Sequence, residues 1–485
     1  MKTVAAEGAT IKVALTPVVE TMPADLLTPL GVFLALSAKS KNCFLLESVE
    51  GGESLARYSF IGADPEMIVS GNDQMIKIVD SNGEHTEDRP LFDFVREHFR
   101  FVSAAGNADL PSFIGGAIGY LDFSCVEWFE PTLRTKRADN ISQAAFQFYR
   151  SIVAFDHAKQ VVKIVTLVED ADSPGDLSGA AQRNKEIRSQ LENFGFRRTS
   201  IERSASTVEV GSNFERNDFE SAVATGKEYI FAGDCYQVVL SQRFSRQTTA
   251  TDVSIYRALR STNPSPYMFL LRFDNKSVIG ASPEMLVRCT GKQAEYRPIA
   301  GTRPRGKTSN EDSQLAEEMR NDKKEVAEHL MLVDLGRNDL GRVAEYGSVK
   351  VDELMKVEKY SHVQHLVSAL SATLRPEYDR FDALAACFPA GTVSGAPKVR
   401  AVEIIRELEP DDRGIYAGAV GYFDYSGNMD TCIAIRTLVL ENGIATIQAG
   451  AGIVADSVPE FEYEETVNKA TALLRAVEIA ESGEF

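Results

Sequence analysis

The sequence predicts an α+β fold, with two interleaved subdomains whose antiparallel β-sheets pack as a sandwich and carry helices outside. Two observations point there. Helix-like and strand-like patterns are intermixed along the 485 residues, without the regular βαβ alternation of a parallel sheet. In addition, Gly116-Ala117-Ile118-Gly119-Tyr120-Leu121-Asp122-Phe123-Ser124 is echoed by Gly418-Ala419-Val420-Gly421-Tyr422-Phe423-Asp424-Tyr425-Ser426. The echo is either two glycine-rich strands that end alike by chance or a pseudo-repeat in which two similar sheets pack together. Apolar residues make up 44% of the chain, with 26 Phe and 15 Tyr, which supports a large core and excludes global disorder.

Three regions follow one another: an N-terminal region over 1–165, a polar connector over 166–212 and a densely patterned region over 213–485. In the first, Thr28 as N-cap and Pro29 at the first helical position predict a core helix within 26–38. That stretch is too short to cross a bilayer. The connector opens on Asp172-Ser173-Pro174-Gly175 and holds a polar helix-like run over 180–193. After a Ser212/Asn213 cap, Phe219, Val223 and Ile230 recur at helical spacing. Strands are expected over 278–281, 285–289 and 294–299, with a turn at Gly291-Lys292, and then one long helix over 312–335. A strand over 431–440 and another over 444–449 flank Glu441-Asn442-Gly443, and Asn-Gly between alternating runs signals a hairpin.

The net charge of −18 argues against nucleic acid or an anionic membrane as partner. It also means that an anionic substrate would need local positive groups. Six cysteines, none in a C-x-x-C pair, read as reduced thiols of a cytoplasmic enzyme. The first 20 residues lack a continuous apolar stretch, so no secretory signal is expected. Neither G-x-G-x-x-G nor G-x-x-x-x-G-K-[ST] occurs, which weakens the case for a nucleotide fold.

Several groups could carry chemistry. Glu325 and Glu328 lie three apart on one helix face, and Glu462 and Glu465 repeat that spacing on a C-terminal helix. Two such pairs can build an all-oxygen site suited to Mg²⁺; taken alone, each is an ordinary solvated helix face. The run from Ala390 to Lys398 is a glycine-bearing loop before a helix, either an anion site or a plain turn. The loop from Pro298 to Gly306 adds Arg303 and Arg305, on a substrate or in solvent. Arg436 falls on the apolar face of its expected strand and needs a partner, either an internal carboxylate or that of a substrate. His365 alternates with Val363 and Val367 and should face inward, as a core histidine or a proton carrier. Glu284 sits at a strand-to-strand turn after Gly280-Ala281-Ser282-Pro283, where it could face a cleft.

In this order, Gly280-Ala281-Ser282-Pro283-Glu284, Pro298-Ile299-Ala300-Gly301-Thr302-Arg303-Pro304, Ala327-Glu328-His329-Leu330-Met331-Leu332-Val333-Asp334-Leu335, Arg337-Asn338-Asp339, Ser394-Gly395-Ala396-Pro397-Lys398 and Glu465-Thr466-Val467-Asn468-Lys469-Ala470 resemble the chorismate-utilising enzymes, and among them the anthranilate synthase component I family. The likeness spans about residues 20 to 475. It implies an active site between the subdomains that turns chorismate and ammonia into anthranilate and pyruvate. It implies Glu328 and Glu465 as Mg²⁺ ligands supported by Glu325 and Glu462, Glu284 as general acid, His365 in the proton transfer of pyruvate elimination, and Thr392 as a catalytic hydroxyl. Gly301, Thr302, Tyr416, Arg436, Gly450, Gly452 and Lys469 match substrate-binding positions, with Tyr416 and Arg436 on the enolpyruvyl carboxylate. A tryptophan feedback site is implied at Glu47, Ser48, Arg57, Asn263, Pro266, Tyr267, Met268, Val420 and Tyr422. Water-adding relatives carry a lysine where this chain has Gln237. Aminodeoxychorismate synthases commonly carry one where it has Ala300, so direct attack by ammonia is favoured. No cysteine stands in a Gly-x-Cys-x-Gly turn, so a separate glutamine amidotransferase subunit is expected. The alternatives are aminodeoxychorismate synthesis and a non-catalytic tryptophan-sensing scaffold.

Overall fold

The computed structural model describes residues 12–48, 57–106, 109–135, 142–170, 172–194, 209–360 and 363–483. The strands assemble into a 13-stranded and a 12-stranded sheet, antiparallel throughout except where Val13–Pro23 meets Val102–Ala104. Both sheets draw strands from both ends of the chain. In the larger, Gln237–Gln247, Ile444–Ile453, Thr437–Glu441, Lys276–Ser282 and Tyr267–Phe273 run on into Asn42–Glu47, Tyr58–Ala63, Ser151–Asp156, Val161–Val168 and Val13–Pro23. In the smaller, Ile299–Pro304, Val363–Thr373, Gln293–Tyr296, Met285–Thr290, Met429–Ile433 and Ala419–Asp424 run on into Gly116–Leu121 and Ala144–Tyr149. The predicted interleaved α+β sandwich is therefore the observed fold.

The two echoed segments are neighbouring strands. Gly119 pairs with its own counterpart Gly421, so a local pseudo-twofold axis passes between them where the halves join. Neither position admits a side chain. A Cβ on Gly119 would lie 1.9 Å from the Ala145 carbonyl oxygen, and one on Gly421 2.1 Å from that of Asp430. One continuous core lies between the sheets, with Phe44, Phe60 and Val278 from the larger against Ile118, Phe146, Leu286 and Tyr422 from the smaller. A second core lies under the helices on the larger sheet's outer face, among them Pro29–Ser37, Asp252–Thr262 and Pro459–Ser482.

Several predicted elements hold, and others change in ways that matter for function. Thr28 caps the Pro29–Ser37 helix through its hydroxyl, which accepts the Gly31 N–H at 3.1 Å. The hairpin at Asn442-Gly443 forms with both residues at positive φ, as a two-residue turn requires. Of the connector, residues 195–208 lie outside the described residues. Its polar run becomes the Pro174–Asn193 helix, whose Ala180, Ile187 and Leu191 are buried; the preceding boundary falls inside the strand Val161–Val168.

The long helix expected over 312–335 is two, Ser309–Asn321 and Lys323–Gly341. Asp322 divides them, because its carboxylate accepts the N–H groups of Lys324 and Glu325 and so starts a new helix. The strand expected over 431–440 is also two. Met429–Ile433 belongs to the smaller sheet and Thr437–Glu441 to the larger, and the chain crosses between them at Ala434-Ile435-Arg436. The expected strand over 294–299 stops at Tyr296, and Ile299–Pro304 follows as a separate strand.

Candidate active site

Two chain crossings between the sheets build the centre of the site. One runs from Lys276–Ser282 to Met285–Thr290 through Pro283-Glu284; the other is the crossing at Arg436. They hold each other by backbone bonds, Ile433 N–H to Glu284 O and Ala281 N–H to Arg436 O, both at 3.1 Å. Arg436 turns with φ +48, an uncommon conformation for a side-chain-bearing residue. Its expected place on a strand face is therefore corrected: it stands where a strand has ended, and its side chain enters the cleft between the sheets.

Glu284 is buried, and desolvation drives its carboxyl up to about 8, with the Thr392 hydroxyl drawing it partly back. The carboxyl and hydroxyl make no hydrogen bond of normal geometry, and Glu284 Oε1 and Thr392 Oγ1 are both buried without a hydrogen-bond partner. An acid in this setting is protonated at neutral pH and has an oxygen left to offer a ligand. Thr392 lies in the helical turn Gly391–Ser394, which falls within the run predicted as an anion loop.

Two cavities flank Arg436. One, of about 300 Å³, is lined by Asn263, Pro266, Pro283, Thr302, His365 and Arg436. The other, of about 390 Å³, is lined by Arg436, Phe461, Glu465 and Lys469. Arg436 forms no ion pair with a carboxylate among the described residues, and burial lowers its pKa, with the Tyr416 hydroxyl opposing. Tyr416 is pushed up to about 12 by burial against the pull of Arg413. A Cβ on Gly450 would come within 2.7 Å of the Tyr416 hydroxyl and 3.0 Å of the Leu240 carbonyl oxygen, which favours glycine there, whereas one on Gly452 would meet only the amide end of Gln237, at 2.5 Å. Lys469 donates to the Gly450 carbonyl at 2.9 Å and pairs with Glu465 at 2.6 Å.

His365 Nδ1 lies 3.1 Å from the Gly301 carbonyl oxygen and 3.0 Å from Thr302 Oγ1. The carbonyl can only accept, so Nδ1 carries the proton and Nε2 is the basic nitrogen. A bulge between Ala300 and Thr302 and a φ of +71 at Gly301 aim that carbonyl at the ring.

The four glutamates proposed for metal lie on the facing helices Lys323–Gly341 and Pro459–Ser482. Burial raises the Glu328 carboxyl, and Glu325 and Glu465 add to the rise; burial also raises Glu462, with Glu465 adding. Mutual repulsion of this kind, with oxygen donors only, suits a hard cation. Among the described residues no three ligand-type groups converge closely enough to hold an ion as they stand. Internal cations hold two of the four, Arg303 on Glu325 at 2.9 Å and Lys469 on Glu465. The guanidinium groups of the Pro298–Gly306 run thus serve carboxylates of this chain, because Arg305 likewise binds Asp312 at 2.7 Å.

A third cavity, of about 360 Å³, brings together Glu47, Ser48, Arg57, Pro266, Tyr267, Met268, Val420 and Tyr422. Asn263 does not reach it and lines the 300 Å³ cavity beside His365, while Pro266 lines both. Glu47 accepts from the Tyr256 hydroxyl at 2.5 Å and pairs with Arg260 at 3.2 Å. Sequence reasoning missed Arg288, which lines this cavity, is half-buried and pairs with Asp430 at 2.7 Å. Its only signal was a charge inside an apolar strand.

Comparison with known proteins agrees with this arrangement. Residues 41–475 match the model of the chorismate binding enzymes. Anthranilate synthase component 1 of Acetivibrio thermocellus is 44% identical over 97% of this chain and 96% of its own length. The protein of that name from Aquifex aeolicus is 46% identical over 95% of this chain and 94% of its own. The crystal structure of anthranilate synthase component I from Streptococcus pneumoniae superposes with a TM-score of 0.75 at 38% identity, over 86% of this chain and 92% of that one. With two sheet crossings delivering an acid and a cation into one cleft, and with these likenesses along nearly its whole length, the chain belongs to the chorismate binding enzyme family, among the anthranilate synthase component 1 proteins.

Proposed function

We propose that this chain converts chorismate and ammonia to anthranilate and pyruvate. The observation that carries the reading is Arg436, a cation of the cleft without a carboxylate partner among the described residues, two residues from Ala434 on a crossing bonded to that of Glu284. Chorismate is a dianion, and a site that grips it needs positive groups despite a net charge of −18. Arg436 and the Tyr416 hydroxyl hold the enolpyruvyl carboxylate. Glu284, protonated up to about pH 8, gives its proton to the departing ring hydroxyl as ammonia attacks. His365 Nε2 then takes part in the proton transfer that accompanies loss of pyruvate. Glu328 and Glu465, backed by Glu325 and Glu462, would hold Mg²⁺. When bound, the ion supplies a positive centre for the ring carboxylate and Lewis-acid polarisation of the conjugated system.

Ammonia comes in this reading from a separate glutamine amidotransferase subunit, and the 360 Å³ cavity takes tryptophan as a feedback inhibitor. Replacing Arg436 tests the assignment. For Arg436→Gln we expect the chorismate KM to rise about 100-fold, the loss of a charged, desolvated contact. An unchanged KM would remove Arg436, and with it the proposed pose.

A further inference from the structure

We infer that Arg413, locked to Glu409, is a positioning residue for this reaction: the pair stands in for a missing strand of the larger sheet and so sets the seats of Thr392 and Tyr416. The inference rests on the function proposed above. Both side chains are almost inaccessible, 1% and 3% exposed, with the ion pair at 2.6 Å. Taking two charges out of water is costly, and an apolar pair of similar volume would often serve stability as well. The position of the pair gives it another purpose.

The strand Gln237–Gln247 is paired along one whole edge with Ile444–Ile453. On its other edge, Gly395–Ala396 covers Gln237 and Val238, and Gly211–Ser212 covers Phe244 and Ser245. Among the described residues no strand lies between, where Val239 and Ser241 would leave buried backbone groups unpaired. Arg413 Nη2 donates to the Val239 carbonyl at 2.6 Å, and Glu409 Oε1 accepts the Ser241 N–H at 2.7 Å. The ion pair thus presents one donor and one acceptor to the edge, as a neighbouring strand would.

A side-chain pair is shorter than a strand, and the helical turn Gly391–Ser394 packs against the sheet here. Arg413 Nη1 reaches that turn and donates to the Val393 carbonyl at 2.7 Å, next to Thr392. The guanidinium lies 4.6 Å from the Phe123 ring centre and 5.7 Å from that of Tyr416. Across the strand, Val239 and Ser241 pair with Gly452 and Gly450. One guanidinium therefore ties the glycine strand, the Thr392 turn and the Tyr416 ring into a single register.

The experiment compares wild type with Arg413→Lys, which keeps the charge but loses the planar fork that reaches three acceptors. Displacement of about an ångström at Thr392 and Tyr416 should raise the chorismate KM and lower kcat by about tenfold each. The alkaline limb of kcat should move to higher pH, because the Thr392 hydroxyl no longer draws the Glu284 carboxyl down. A positioning role requires these changes in protein that still melts cooperatively; Glu409→Gln provides the same readouts if the lysine variant does not fold. KM, kcat and limb unchanged per folded molecule would overturn the inference. Should the wild type make no anthranilate, the function reading fails, and chorismate affinity by calorimetry then decides: equal affinity in wild type and variant rejects the positioning role.

Discussion

Glu284 shows how burial alone can make an acid. Its carboxyl is raised from 4.5 to about 8 by desolvation, and no neighbouring carboxylate is needed for the shift. A general acid works in its protonated form, so turnover should fall as pH rises through about 8. Glu284→Gln should lower turnover by about 10²- to 10⁴-fold, measured with saturating chorismate and ammonium. The same shift has a stability consequence. The folded state keeps a proton that the unfolded chain loses above the ordinary carboxyl range, so the stability contributed by this group is full below 4.5 and is lost as pH rises through about 8. Urea midpoints should show Glu284→Gln gaining on wild type between pH 5 and pH 9; a constant gap would mean that the carboxyl is ionised in the fold.

Among the elements, what was legible in sequence and what was not divides on range. Local chemistry was legible: the Thr28 cap, the Asn442-Gly443 hairpin and the i,i+3 glutamate pairs all depend on residues within a few positions. The break at Asp322 was not, because both flanking runs are helical and only the carboxylate's choice of backbone N–H groups divides them. Nor was the crossing at Arg436, since alternation across Thr431–Leu440 looks continuous although the two halves join different sheets. Asp322 also binds Arg303 at 3.0 Å, so it fixes the helix of Glu325 and Glu328 against the Gly301 bulge. Asp322→Ala should cost about 1 kcal/mol of stability through the lost cap, read by urea unfolding. No change in midpoint would mean that the second helix needs no cap.

Across the whole molecule, interleaving puts the cavity proposed for tryptophan and the cavity beside His365 on either side of one segment. Pro266 lines both, with Tyr267 and Met268 facing one and Asn263 the other. Chorismate and tryptophan should then weaken each other's binding by the same factor. Glu47→Ala should leave activity that survives added tryptophan, measured as anthranilate fluorescence against inhibitor concentration. Unaltered inhibition would place the tryptophan site elsewhere. The net charge of −18 coexists with a cleft in which Arg436 has no carboxylate partner among the described residues.

In the function proposed above, this cleft aminates the chorismate ring beside its carboxylate. The most direct measurement is the product formed from chorismate, Mg²⁺ and ¹⁵N-ammonium at alkaline pH with no second subunit, resolved by chromatography and mass spectrometry. Pyruvate and ¹⁵N-anthranilate are expected, with nitrogen ortho to the carboxylate. A para-amino product or isochorismate would contradict that function.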